Sequence, residues 1–447
     1  MDQNVNTIIT PRWILTLDDS QGVNGGLLEH HSLIIQNNKI HEILPTEQAL
    51  EKFNDGKHFE LPNQLLLPGF VNCHGHAAMS LFRGMADDLP LMTWLEEHIW
   101  PAEGQFVSEE FVADGSKLAI AEMLKSGTTC YSDMYFFPEV AAETAAELHM
   151  RGRFYGPILD FPTPYGSGPA EYIEKILKAH DKFKHHSLVE IGFGPHAPYT
   201  VSDEPLNNVR TLANQMDIPI QIHLHETAFE VMDAKEKIGK RPTERLAELN
   251  MFGPDVQAVH VTQVDETDIE ILSKYNTHVI HCPESNMKLA SGFCPVDTLQ
   301  KAGINVALGT DGAASNNDLD MLGEMHTAAL LAKAVANDAS ALPALEAVKM
   351  ATLNGAKALS MDDKIGSLKA GKLADLISID MSGISSHPVY DPVSHLVYSS
   401  TRDQVSHVWI DGRLQVENGK LSHINEQDVT ELANSWAAKI SAAKQQS

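Results

Sequence analysis

Leu65-Leu66-Leu67-Pro68-Gly69-Phe70-Val71-Asn72-Cys73-His74-Gly75-His76 puts an apolar run, a Pro-Gly break and two histidines one residue apart into a single short stretch. A brief apolar run bounded by turn residues reads as a buried strand. In extended backbone, positions i and i+2 point to the same face, so His74 and His76 share one face at a strand end. The pattern recurs downstream. Thr128-Thr129-Cys130-Tyr131, Glu190-Ile191-Gly192-Phe193-Gly194, Pro219-Ile220-Gln221-Ile222-His223, Gln257-Ala258-Val259-His260, His278-Val279-Ile280-His281 and Asn305-Val306-Ala307-Leu308-Gly309 are strand-like and alternate with longer helix-like stretches. Alternation of this kind over residues 64–365 predicts an α/β chain with a (β/α)8 TIM barrel, its first strand carried by Leu65-Leu66-Leu67. A doubly wound sheet is set aside because neither GxGxxG nor GxxxxGK[ST] is present.

The flanks differ from the middle. Residues 1–63 hold short alternating runs such as Lys39-Ile40-His41-Glu42-Ile43-Leu44, and residues 366–447 repeat them in Ala374-Asp375-Leu376-Ile377-Ser378-Ile379 and Val405-Ser406-His407-Val408-Trp409-Ile410, followed by the hairpin turn Asp411-Gly412. Both chain ends are expected to build one small β-sandwich domain, with a terminal amphipathic helix over residues 426–447.

Composition narrows the classes. With 447 residues, 43% hydrophobic and 21% charged, the chain supports a large core and departs from collagen-like, disordered and membrane compositions. Sixty acidic against 33 basic residues give a net charge of -27, which repels polyanions, so a nucleic-acid polymer is excluded as partner. No basic-then-apolar leader and no run of eighteen apolar residues occurs, which predicts a cytoplasmic protein without a membrane span. The four cysteines (Cys73, Cys130, Cys282, Cys294) contain no CxxC pair and read as reduced thiols. His30-His31 and His185-His186 read as solvated loop residues.

In a barrel the chemistry gathers at the C-terminal strand ends. Just past the apolar runs stand His74 and His76, then His196, then His223, His225 and Glu226, then His260, His281 and Asp311. Singly, each has an ordinary structural reading: a lone HxH is commonly a surface pair, Asp311-Gly312 a turn, and Glu226 the start of a helix. In series they do not, because an apolar core gains nothing from ionisable groups at successive strand ends. Three imidazoles and a carboxylate suit Zn2+, Fe2+ or Mn2+ with a position open for water. Glu226 would then shuttle a proton, Asp311 would bind metal and accept a proton, and His260 would stabilise developing charge.

These motifs resemble the amidohydrolase superfamily, in its branch of ring deaminases and triazine hydrolases. The resemblance runs through Leu67 to His76, His223-Leu224-His225-Glu226-Thr227, His281-Cys282-Pro283-Glu284-Ser285-Asn286-Met287-Lys288-Leu289, Gly309-Thr310-Asp311-Gly312 and the return strand from Ile365 to Leu376. It implies a mononuclear site with His74, His76, His223 and Asp311 as ligands to one divalent cation per subunit, Zn2+ first, with Glu226, His260 and Asp311 catalytic. The segment from Arg83 to Leu91, with Trp94, Leu95 and Ile99-Trp100-Pro101-Ala102-Glu103, is similar to the substrate-covering loop of deaminases of 5'-methylthioadenosine and S-adenosylhomocysteine. That similarity implies an adenine nucleoside substrate bound by Trp94, Glu103, His196 and Glu226, and a symmetric dimer or tetramer.

One departure is visible. No arginine follows the third strand around Tyr155 to Tyr165, and Arg151 and Arg153 are expected at the end of the preceding helix, so a methylthio group suits the pocket better than an amino-acid tail. Guanine or 8-oxoguanine deamination and chlorotriazine hydrolysis use the same chemistry and are the alternatives, with a noncatalytic metal-binding scaffold behind them. A cytidine-deaminase zinc site is set aside for want of HxE and PCxxC motifs.

Overall fold

The computed structural model describes residues 6–21, 24–53 and 55–444. Its centre is an eight-stranded sheet in which each strand lies beside the next in the chain, all parallel. We number these strands β1 (Phe70–Asn72), β2 (Thr128–Met134), β3 (Arg151–Ile158), β4 (Val189–Pro195), β5 (Ile220–Leu224), β6 (Val256–His260), β7 (His278–His281) and β8 (Val306–Leu308). The sheet closes on itself. The Cys73 amide donates to the Leu308 carbonyl at 2.9 Å and the Asp311 amide to the His74 carbonyl at 3.0 Å, joining the two outermost strands. Close approach at this seam requires a glycine, since a Cβ on Gly309 would lie 2.8 Å from the His74 nitrogen.

Helices cover the outside because their apolar residues fall on one stripe. In Pro169–Phe183, proline at the first turn starts the helix, and Tyr172, Ile173, Ile176, Ala179 and Phe183 are the residues it buries. Inside the barrel the strands are buried on both faces, as their continuous apolar runs require.

Two sequence expectations are corrected here. Leu65-Leu66-Leu67 do not form the first barrel strand: Lys57–Pro68 pairs with Thr7–Leu15 and Leu376–Asp380 in the other sheet. The chain passes from one sheet to the barrel at Gly69, where a Cβ would collide with the Thr129 side chain at 2.0 Å. Nor do Arg151 and Arg153 end a helix, for they open β3 and are buried. Their charges are tolerated there because Arg151 holds Asp375 in a two-point ion pair (2.6 and 3.1 Å) and Arg153 is paired with Glu190. Removing one member of a buried pair ordinarily costs about 3–5 kcal/mol because the other charge is left uncompensated, so loss of Arg151 would strand Asp375 between barrel and small domain.

The two chain ends do come together, and their strands connect as a single nine-stranded sheet rather than two separate ones. Ile9, Ile14, Leu33, Phe59, Leu66 and Trp409 form its apolar core. The last helix, Glu426–Lys444, buries Val429, Trp436 and Ile440. It docks on helix Glu109–Lys125, where the Trp436 indole N–H reaches Asp114 at 2.9 Å and its ring meets Phe111 at 5.2 Å. Among the described residues no helix is long and apolar enough to cross a membrane.

Candidate active site

The histidines expected to act together converge over the C-terminal ends of the strands. Each is turned by an oxygen that can only accept. His74 Nδ1 donates to Gln221 Oε1 at 2.7 Å, His76 Nδ1 to the Met134 carbonyl at 2.6 Å, and His223 Nδ1 to the His196 carbonyl at 2.7 Å. With the proton held on Nδ1, each Nε2 lone pair faces inward, which is the tautomer a metal ligand needs. His74 Nε2 and His223 Nε2 lie 3.2 Å apart, and Asp311 Oδ1 is 3.4 Å from His74 Nε2 and 3.1 Å from His76 Nε2. The other Asp311 oxygen accepts the Ser285 and Ser315 hydroxyls at 2.7 and 2.9 Å, leaving Oδ1 for the centre. His74, His76 and Asp311 offer one group of converging donors and His74, His223 and His260 a second, with His74 common to both; nitrogen and oxygen donors of this kind fit a divalent cation of the zinc type.

Electrostatics agree with that fit. Burial favours neutral imidazole, and together with neighbouring histidines it holds His74 down to about 4 despite Asp311, and His223 well below the usual histidine range. At His76 burial is outweighed by the Asp311 hydrogen bond and charge, which raise it to about 9. Asp311 is buried too, yet its two histidine partners hold it well below the usual carboxylate range. His74 and His223 are thus neutral while His76 carries a proton against the Asp311 carboxylate, and a bound cation would take the place of that proton. Asp311 and His260 also carry left-handed backbone, φ 59° and 75°. Such a conformation costs a side-chain-bearing residue about 1–2 kcal/mol, and it turns both side chains toward the centre.

Glu226 and His260 stand beside the donors, Glu226 Oε2 3.7 Å from His260 Nε2. Glu230 fixes the Glu226 backbone by accepting its amide at 2.9 Å, and Asn286 Oδ1 orients His260 through Nδ1 at 2.9 Å. Burial raises Glu226 to about 8, with the Asp311 charge adding to it, so this carboxyl exchanges protons near neutral pH. His225 points elsewhere, bonded to the Gln263 carbonyl and Thr243. His281 is buried and takes no place among the converging donors.

A cavity of about 210 Å³ opens over these groups. Glu103, on helix Trp100–Phe106, lines it and accepts the Tyr135 hydroxyl at 2.7 Å. His196, held by Thr200 at 3.0 Å, and Trp94 also line it. The far wall is Phe136, Pro157, Leu159, Phe161, Pro162 and Pro164, and among the described residues no lysine or arginine lines the cavity. Of the strand-end groups expected from the sequence, His225 and His281 stand apart, and the others lie together at or beside this cavity. Sequence reasoning missed Gln221, Ser285, Ser315, Asn286 and Tyr135, which orient them. Gln221 carried a signal: it sits two positions before His223, on the same inward face of an otherwise apolar strand.

The model of the amidohydrolase family matches residues 65–415, and the chain belongs to that family. Within it, the chain is 54% identical to a 5-methylthioadenosine/S-adenosylhomocysteine deaminase of Saccharophagus degradans, covering 98% of this chain and 97% of that one. It is 41% identical to a 5'-deoxyadenosine deaminase of Methanopyrus kandleri over 93% and 96% of the two chains. Among solved structures, an adenosine deaminase from Xanthomonas campestris with bound zinc superposes with a TM-score of 0.96 at 43% identity, covering 99% and 100%.

Proposed function

We propose that this chain is a metal-dependent aminohydrolase whose preferred substrate is 5'-methylthioadenosine, converted with water to its inosine counterpart and ammonia. The observation that carries the reading is the cavity itself, which leads from the four donors past His196 and Glu103 to an apolar wall without a cation. His74, His76, His223 and Asp311 would hold one Zn2+ per subunit, with Fe2+ or Mn2+ suited to the same donors. Such a cation acts as a Lewis acid that makes water nucleophilic near neutral pH. Glu226 takes one proton from the attacking water and passes it to the ring nitrogen, Asp311 takes the second from the added hydroxyl as the carbonyl forms and that proton leaves on the departing ammonia, while His260 steadies the negative charge that grows beside the donors. His196 meets the purine edge, Trp94 covers it, and Glu103 accepts from the ribose diol. A guanine or chlorotriazine ring has no diol to offer Glu103, and a noncatalytic scaffold has no use for Glu226 beside His260. The four buried, unbridged cysteines fit a cytoplasmic enzyme, and the almost fully exposed Ile384 and Tyr390 fit a homo-oligomer.

Two expectations test the substrate assignment. The homocysteine tail of S-adenosylhomocysteine would bring its carboxylate against a wall that cannot pair it, which is unfavourable for a buried charge. Spectrophotometric assay should therefore give a kcat/KM for 5'-methylthioadenosine about tenfold or more above that for S-adenosylhomocysteine; equal or reversed values would refute the preference. The second concerns pH. Burial raises Glu103 to about 7, with Tyr135 and the His76 charge pulling it back, so the carboxylate that accepts from the diol is lost as pH falls through that value. KM for a riboside should rise on the acid side. A KM that stays flat between roughly pH 6 and pH 8 would remove Glu103 from ribose binding.

A further inference from the structure

Glu103 reaches the cavity from helix Trp100–Phe106, while Tyr135 directly follows β2. Both are buried, and the phenol donates to Glu103 Oε1 at 2.7 Å. Among the described residues no other side-chain or backbone donor reaches this carboxylate. The residue before Tyr135 is Met134, whose carbonyl turns His76 toward the donors at 2.6 Å. The end of β2 thus supports the metal ligands and the carboxylate at once. A carboxylate accepts at two oxygens with about four lone-pair directions, and it rotates freely unless something fixes its plane. A phenol has one proton; given to Oε1, it leaves Tyr135 unable to donate to a ligand but fixes where the remaining lone pairs point.

We propose that Tyr135 is a positioning residue that sets the ribose requirement of this site, locking the Glu103 carboxylate so that its free lone pairs meet a vicinal diol. The proposal rests on the nucleoside reading above. It adds to that reading a residue of the cavity lining whose one phenolic proton is committed to Glu103. Hydrogen bonds to a charged group are stronger than neutral ones and depend on alignment. Losing the lock therefore weakens recognition of the diol without altering the chemistry at the ring.

The test uses the metal-loaded full chain with adenosine and 2',3'-dideoxyadenosine, which share the base and differ at the diol. In Tyr135→Phe, KM for adenosine should rise about tenfold with kcat within about twofold of wild type, while KM for the dideoxynucleoside stays unchanged. The preference for the ribose then falls about tenfold. Adding Tyr135→Phe to Glu103→Gln should lower that preference no further, because the tyrosine acts through the carboxylate. An unchanged preference in Tyr135→Phe overturns the proposal. So does an equal fall in kcat for both nucleosides, or a variant that folds poorly or loses metal, since each makes Tyr135 structural. If the wild-type enzyme deaminates neither nucleoside, the nucleoside reading has failed instead, and that result is seen before any variant is made.

Discussion

Glu226→Gln is expected to keep its metal and lose turnover by about 10²- to 10⁴-fold, the range a well-placed proton-transfer group supplies. The converging donors belong to other residues, so elemental analysis should find wild-type metal content. Glutamine has the same shape, the backbone amide at this position is held by the Glu230 carboxylate at 2.9 Å, and the Ser291 hydroxyl that reaches Glu226 Oε1 at 3.5 Å can donate equally to an amide oxygen. What glutamine cannot do is accept a proton and return it. The native carboxyl is suited to both, raised by burial to about 8 and set 3.7 Å from His260 Nε2. Loss of adenine absorbance over time reads the effect, and kcat near wild type would eliminate Glu226 as the proton carrier.

His223→Ala should differ in kind, losing metal and turnover together. His223 is buried, with Nε2 3.2 Å from His74 Nε2 and Nδ1 committed to the His196 carbonyl. Truncation removes one of four donors and frees the carbonyl that oriented it. A ligand that binds only the folded state stabilises by about 4 kcal/mol when present at about a thousandfold over its Kd. Added Zn2+ should accordingly raise the Tm of chelator-treated wild type and leave that of His223→Ala almost unchanged. A variant with full metal content and a metal-dependent Tm would take His223 out of the donor set. The two substitutions separate the roles: one residue handles protons, the other holds the cation.

The donors and Glu226 were legible in the chain because an ionisable group at the end of an apolar strand is costly unless it is used, and such groups recurred strand after strand. Their supports were not. Ser285, Ser315, Asn286 and Tyr135 are common polar residues, and what distinguishes them is a partner distant in the chain, such as Asp311 for Ser285 or Glu103 for Tyr135. The opening of β3 was misplaced for a related reason. Arg151 and Arg153 look like helix-end residues until Asp375 and Glu190 are found opposite them. Leu65 to Leu67 misled in the opposite way. Their apolar run is indeed a strand, but only pairing across the chain ends shows that it belongs to the small sheet and that Gly69 is the crossing point.

The seam of the barrel has a bearing on biosynthesis. His74 and His76 follow the first strand and Asp311 follows the last, and hydrogen bonds between these same segments close the ring. A nascent chain emerging from the ribosome therefore displays two of its donors early and must wait for most of the remaining sequence before the fourth exists. Domains are made N-terminus first, so ring closure and the meeting of His74 and His76 with Asp311 are delivered by the same late event.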